Sequence, residues 1–140
     1  MTPKTIKGAC TCGRVTLEAT QPPLWVAHCH CENCRKAHGA GFVTYAGFQK
    51  DSVHIKTGET NLTAYRSDTN STRRFCKTCG STLTYESPRW KGEIHLAVAN
   101  LTHLTEFPSA HAYADRAPDW CPITDKLEQR GGPTGTEPPP

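Results

Sequence analysis

Cys76-Lys77-Thr78-Cys79-Gly80 sets two thiols three residues apart on a turn, the outline of a zinc knuckle. A close pair of thiolates is half of a tetrahedral zinc site. Working outward, the other half lies near the start of the chain, at Cys10-Thr11-Cys12-Gly13. Two pairs complete one site, so this spacing predicts a closed four-cysteine centre that clamps the N-terminal strand to a central hairpin. Gly80 and Gly13 are expected in the left-handed conformation that the turn exits need. Four thiolates leave zinc with a net negative charge, which backbone N–H groups and cations such as Lys77 or Arg74 are expected to soften.

A third cluster, Cys29-His30-Cys31-Glu32-Asn33-Cys34, takes the count to seven of the eight cysteines. Besides an empty or redox-active cluster, two readings of the triplet stand. One is a closed site whose fourth ligand is His28, His30, His38 or Cys121. The other, which the count favours, is three thiolates with a position left for an incoming ligand, the arrangement of catalytic zinc. Three thiolates make zinc a weak activator of water but a good acceptor of a soft ligand such as a substrate thiol. Arg35 and Lys36 follow the triplet and either offset its charge or hold a substrate carboxylate. His38 reads as a polar turn residue or a proton shuttle. Cys121 lies outside the pattern.

Composition narrows the classes. The chain has 140 residues, enough for one domain, with 16 Lys and Arg against 13 Asp and Glu. The basic residues form no run, so a nucleic-acid partner is not expected. No apolar run approaches the about 20 residues that span a membrane, and the first eight residues carry no apolar signal core. A cytoplasmic, reducing location follows as the expectation, and there clustered cysteines chelate metal rather than form disulfides.

The pattern of the chain is all-β: short strands with Gly and Pro turns. Residues 1–8 read as a leader. Strands are expected over 14–19, 24–31, 42–48, 50–55, 62–65, 73–75, 82–85, 93–99 and 111–113. Within the second, Trp25, Ala27, Cys29 and Cys31 share a face. Glu32 to His38 reads as a turn or short helix, and Thr57-Gly58 as a hairpin turn before Leu62. Residues 124–129 suit one or two helical turns. The Gly-, Pro- and Thr-rich stretch 131–140 reads as a disordered tail after a zinc domain of residues 1–130. Trp25, Phe42 and Trp120 are read as core or as pocket wall.

Three stretches then combine: Gly8-x-Cys10-x-Cys12-Gly13-x-Val15, Cys29-His30-Cys31-x-x-Cys34-Arg35-Lys36-x-His38-Gly39-Ala40-x-Phe42 and Phe75-Cys76-x-x-Cys79-Gly80-Ser81-x-Leu83. With His111-x-x-x-x-Arg116-Ala-Pro118-x-Trp120 they resemble the glutathione-dependent formaldehyde-activating enzyme family, also called the centromere protein V/Gfa-like family. The resemblance covers about residues 5–121. It implies an Mss4-like, zinc-bound β fold of short antiparallel strands. It implies two Zn²⁺: a structural one on Cys10, Cys12, Cys76 and Cys79, and a catalytic-type one on Cys29, Cys31 and Cys34. It implies a carbon–sulfur lyase that joins or parts a thiol, glutathione in the formaldehyde-activating member, and a small electrophile such as an aldehyde. Arg35, Lys36 and Arg116 are then the candidates to anchor glutathione carboxylates, in a monomer or homodimer. No general base is evident. The alternative is a zinc scaffold or thiol- and metal-binding module without catalysis, since a fold does not fix a function.

Overall fold

The computed structural model describes residues 4–138. Twelve strands and one α-helix follow in the order β1 Thr5–Ala9, β2 Thr16–Thr20, β3 Trp25–Cys29, α1 Glu32–His38, β4 Val43–Gln49, β5 Val53–Thr57, β6 Leu62–Arg66, β7 Thr72–Cys76, β8 Thr82–Glu86, β9 Glu93–Ala97, β10 Leu101–Thr102, β11 Ala110–Ala112 and β12 Glu128–Gln129. The fold is all-β apart from α1 and short 3₁₀ turns. Together with the cysteine clusters it is consistent with a zinc-binding Mss4-like fold. No helix among the described residues is long and apolar enough to cross a membrane.

The chain divides into two compact units, built from residues 4–24 with 46–106 and residues 25–45 with 107–138. The first unit contains a four-stranded sheet in the order β10-β1-β2-β5 and the run β9-β8-β7-β6. Its strands pair antiparallel. Alternation decides which side is buried. Ile6 and Gly8 of β1 and Leu17 and Ala19 of β2 turn inward with every second residue between them exposed or half-exposed. Phe48, Leu83 and Leu96 are likewise fully buried.

In the second unit, β11 lies between β3 and β12 and pairs parallel with both. This differs from the purely antiparallel expectation. A hairpin can join only antiparallel neighbours, and here eighty residues, 30–109, separate β3 from β11, enough for the crossover that parallel pairing needs. Val26, Val43 and Tyr45 are buried there.

Several boundaries differ from the expectation. The leader is strand β1 from Thr5 onward, bonded to β2, while residues 1–3 lie outside the described residues. Thr57-Gly58 does not turn a hairpin: β5 pairs with β2 and β6 with β7. A 3₁₀ turn at Glu59–Asn61 carries the chain from one sheet to the other. Residues 124–129 form no helix but end in β12, whose backbone is taken up by β11. Residues 131–138, expected to be disordered, form a loop closed by backbone bonds between Gly131 and Glu137 in both directions, 2.8 and 3.0 Å. Tyr113 N–H donates to the Gly135 carbonyl at 3.2 Å. The tail's composition lacks apolar residues, and these backbone bonds replace the missing burial. Residues 139–140 lie outside the described residues.

Candidate metal centres

The first centre is in the first unit. Cys10 follows β1, Cys76 ends β7, and the turns after them bring Cys12 and Cys79 back. All four sulfurs lie within 4.8 Å of one another. Cys10 and Cys12 Sγ are 3.6 Å apart, and Cys12 and Cys76 Sγ 3.7 Å. Sulfurs at about 2.3 Å from a tetrahedral zinc are about 3.8 Å apart, so the donor set fits the ion. None of the eight cysteines is in a disulfide. The turns are built as their glycines require: Gly13 N–H donates to the Cys10 carbonyl (3.0 Å) and Gly80 N–H to the Cys76 carbonyl (2.8 Å). Both glycines have φ near +80°, with open space where a Cβ would go, so the constraint is backbone conformation rather than crowding.

Donors surround these sulfurs. Val15 N–H reaches Cys10 Sγ at 3.3 Å and Asn61 Nδ2 reaches Cys76 Sγ at 3.0 Å. Ser81 Oγ is 3.3 Å from Cys79 Sγ and accepts from Thr11 N–H at 3.0 Å. Hydrogen bonds from the Ser81 hydroxyl and backbone, and from the Cys12 backbone, pull the Cys79 thiol down to about 5. Burial opposes ionisation of Cys76, yet the Cys79 and Thr78 backbone bonds outweigh it and hold its pKa below the ordinary value. Burial raises that of Cys10. The cation here is Arg14, whose pKa is raised by its hydrogen bond and charge interaction with Cys12. Of the two cations expected, Lys77 and Arg74, the second bonds instead to Glu86 on the neighbouring strand β8, at 3.0 Å. Asn61, Ser81 and Arg14 were not singled out from sequence as neighbours of the sulfurs. Ser81 alone carried a signal, as part of the Cys79-Gly80-Ser81 motif.

The second centre is in the second unit. Cys29 ends β3, Cys31 caps α1, and Cys34 lies in its first turn. The three sulfurs are within 4.8 Å of one another, and Cys29 and Cys34 Sγ are 3.5 Å apart. Cys31 replaces the usual oxygen of an N-cap: its sulfur accepts from Cys34 N–H at 3.2 Å. This bond fixes two of the three thiols relative to each other. Tyr45, buried on β4, donates its hydroxyl to Cys34 Sγ at 3.7 Å and lies 3.3 Å from His38 Nε2. Hydrogen-bonded crowding by Cys31 and Cys34, then burial, raises the Cys29 pKa well above the ordinary value. Three thiolates this close repel one another unless a cation neutralises them, which is the electrostatics of a metal site.

Among the described residues no fourth His, Cys, Asp or Glu ligand atom falls within that distance of all three sulfurs. Of the four candidates for closure, His28 Nδ1 is 2.7 Å from Thr44 Oγ1, His30 Nε2 is 2.8 Å from His111 Nδ1, and His38 faces Tyr45. Cys121 lies against Gly41, where an added Cβ would come within 2.6 Å of its sulfur.

The expected anchors are differently employed. Arg35 Nε donates to the His30 carbonyl at 3.1 Å and Nη2 to the Arg116 carbonyl at 3.4 Å. Lys36 Nζ pairs with Glu32 at 2.9 Å, one helical turn away. Arg116 is exposed, and its charge helps hold the Glu32 carboxyl below its ordinary pKa, behind Lys36 and Arg35. Trp120, read as core or wall, is 71% exposed. Phe42 lies edge-on to His28, ring centroids 4.9 Å apart.

A family model described as glutathione-dependent formaldehyde-activating enzyme matches residues 5–116. An uncharacterized lyase of Schizosaccharomyces pombe is 34% identical over 79 residues, 56% of each chain, so the chain spans about half the length of the curated relative it matches. A Rhodobacter sphaeroides protein of known crystal structure is 28% identical with a TM-score of 0.61, over 73% of this chain and 97% of that one.

Proposed function

The chain belongs to the glutathione-dependent formaldehyde-activating enzyme family, and from that premise we propose a zinc-dependent carbon–sulfur lyase or adduct-forming enzyme. Its substrates are a thiol, glutathione first among them, and a small electrophile such as an aldehyde. The observation that carries this reading is the converged triplet of Cys29, Cys31 and Cys34, joined by no fourth ligand among the described residues. Zinc held by Cys29, Cys31 and Cys34 would supply a soft Lewis-acid centre suited to a sulfur ligand. Cys10, Cys12, Cys76 and Cys79 would hold a second, structural zinc.

The chain's own residues do the rest. The Cys31 cap fixes the reach of Cys34, and the Tyr45 hydroxyl donates to Cys34 Sγ, which lessens the charge on that ligand. Arg35 holds the carbonyls of His30 and Arg116 and so braces the loop on both sides. Arg116, exposed beside it, is the best placed of the three cations to meet a carboxylate of the thiol. A reducing, cytoplasmic setting keeps the thiols free.

The test is zinc per chain on anaerobically purified protein, before and after a mild chelator, followed by NMR of glutathione with formaldehyde. We expect two zincs, one stripped easily, and adduct exchange faster than in buffer. Cys34→Ser should lower the count by one and abolish the acceleration. A wild-type chain that holds one zinc even after zinc is re-added overturns the enzyme reading in favour of a scaffold.

A further inference from the structure

His30 stands between two of the three ligands of the second centre, and every polar end of it but one is held. Its N–H donates to the Ala112 carbonyl at 3.0 Å, and its carbonyl accepts from Arg35 Nε at 3.1 Å. Its side chain is 1% exposed, with Nε2 2.8 Å from Nδ1 of His111, itself 3% exposed. His111 Nε2 is 2.8 Å from Asp125 Oδ1, which also accepts from Leu127 N–H at 2.9 Å. A chain of hydrogen bonds thus runs from an exposed carboxylate through two buried imidazoles to the residue between Cys29 and Cys31.

The chain has a polarity. An ionised carboxylate only accepts, so His111 carries its proton on Nε2. With neutral rings, His111 Nδ1 must then accept, and His30 must donate from Nε2. His30 Nδ1 is left as a bare acceptor, and it is indeed a buried nitrogen with no partner among the described residues. Strand pairing explains why these rings meet. β11 pairs with β3 in parallel, His111 opposite His28 and Ala112 opposite Cys29, so the imidazoles gather on one face and Cys29 projects to the other. The histidines therefore brace the ligand segment from behind and do not compete for the metal.

We propose that Asp125, His111 and His30 form a strut that presets the spacing of Cys29 and Cys31 for the second metal, with Asp125 and His111 as positioning residues. The proposal rests on the reading of the triplet as a metal centre. Without the strut, the segment 29–31 keeps only its backbone bonds, and three mutually repelling thiolates have to be brought together by the metal itself. Removing a hydrogen-bonded support around a metal site lowers affinity by about 10–100-fold.

Cobalt(II) titration of anaerobic protein, with a competing chelator, reads the two centres separately. Asp125→Ala and His111→Leu should keep the first metal and the melting temperature of the metal-loaded protein close to wild type. They should lose at least about tenfold in affinity at the second site. Asp125→Asn and His111→Gln keep an acceptor and a donor in the right order and should restore it to within a few-fold. Long-range ¹⁵N–¹H spectra of the wild type should show His30 and His111 both protonated on Nε2. Should His111→Leu fail to fold, the exposed Asp125→Ala carries the comparison. Second-site affinity unchanged in Asp125→Ala overturns the strut, and so does Nδ1 protonation of both rings. Equal loss in the Leu and Gln variants of His111 also overturns it, because packing rather than hydrogen bonding is then at work. A wild type that binds only one cobalt overturns instead the reading of the triplet.

Discussion

Ser81 shows how one hydroxyl ties a metal centre together. Its oxygen lies 3.3 Å from Cys79 Sγ and 3.0 Å from the Thr11 N–H, so it touches both halves of the first centre. Ser81→Ala should weaken zinc there by about 10–100-fold, measured by chelator competition, and leave the second centre unchanged. Equal weakening of both would count against a local role. Asp125 offers a pH test. Its hydrogen bond to His111, then that from Leu127 N–H, holds its carboxyl below the ordinary value of 3.8. A lowered carboxyl pKa means that the contact stabilises the fold above the ordinary value and is lost as pH falls through the lowered one. Carboxyl ¹³C titration should place the Asp125 midpoint below 3.8; a midpoint at or above it would show that the His111 contact does not form. The seven clustered cysteines were legible in sequence because each cluster sets its thiols within two to five residues of one another. Asp125 was not, since its partner His111 is fourteen residues away and is found only by folding.

At the scale of the element, α1 spans Glu32–His38, as its sequence suggested. Two local features account for the match: Cys31 accepts from Cys34 N–H at the start, and Gly39 ends the helix with its N–H on the Arg35 carbonyl. The Glu32–Lys36 pair on its surface is largely exposed, at 61% and 74%. Exposed pairs contribute little. Glu32→Ala should leave Tm within about 2 °C and the metal content unchanged, and a loss of second-site metal in that variant would show that the pair orders the helix. Strand edges were legible to within a few residues because burial alternates with period two. The partners of β5, β6 and β11 were not, because a strand's edge hydrogen bonds carry no sequence label. The 3₁₀ turn at Glu59–Asn61 looks locally like a hairpin link and changes sheets instead.

For the molecule as a whole, the two centres should answer differently to loss of metal. The first centre joins segments sixty-four residues apart, as the Cys12–Cys76 sulfur contact shows. The second draws all three of its thiols from residues 29–34. Metal that closes a long loop carries folding free energy, whereas a local chelate closes almost none. Cys76→Ser should therefore aggregate or melt well below wild type, whereas Cys34→Ser should remain folded and lose one zinc. Circular dichroism with metal analysis reads both. A soluble Cys76→Ser protein with unchanged Tm would remove the structural role from the first centre.

By itself the sequence determined which cysteines cluster, the all-β character and the family resemblance. Chelation, strand alternation and knuckle turns are all written in spacings of two to four residues. Only the tertiary structure decided which donors surround each sulfur, that Arg35 and Lys36 have partners within the protein, and that Asp125 and His111 stand behind His30. Those pairings depend on which strands lie side by side, and strand order follows from how the whole chain buries its apolar faces.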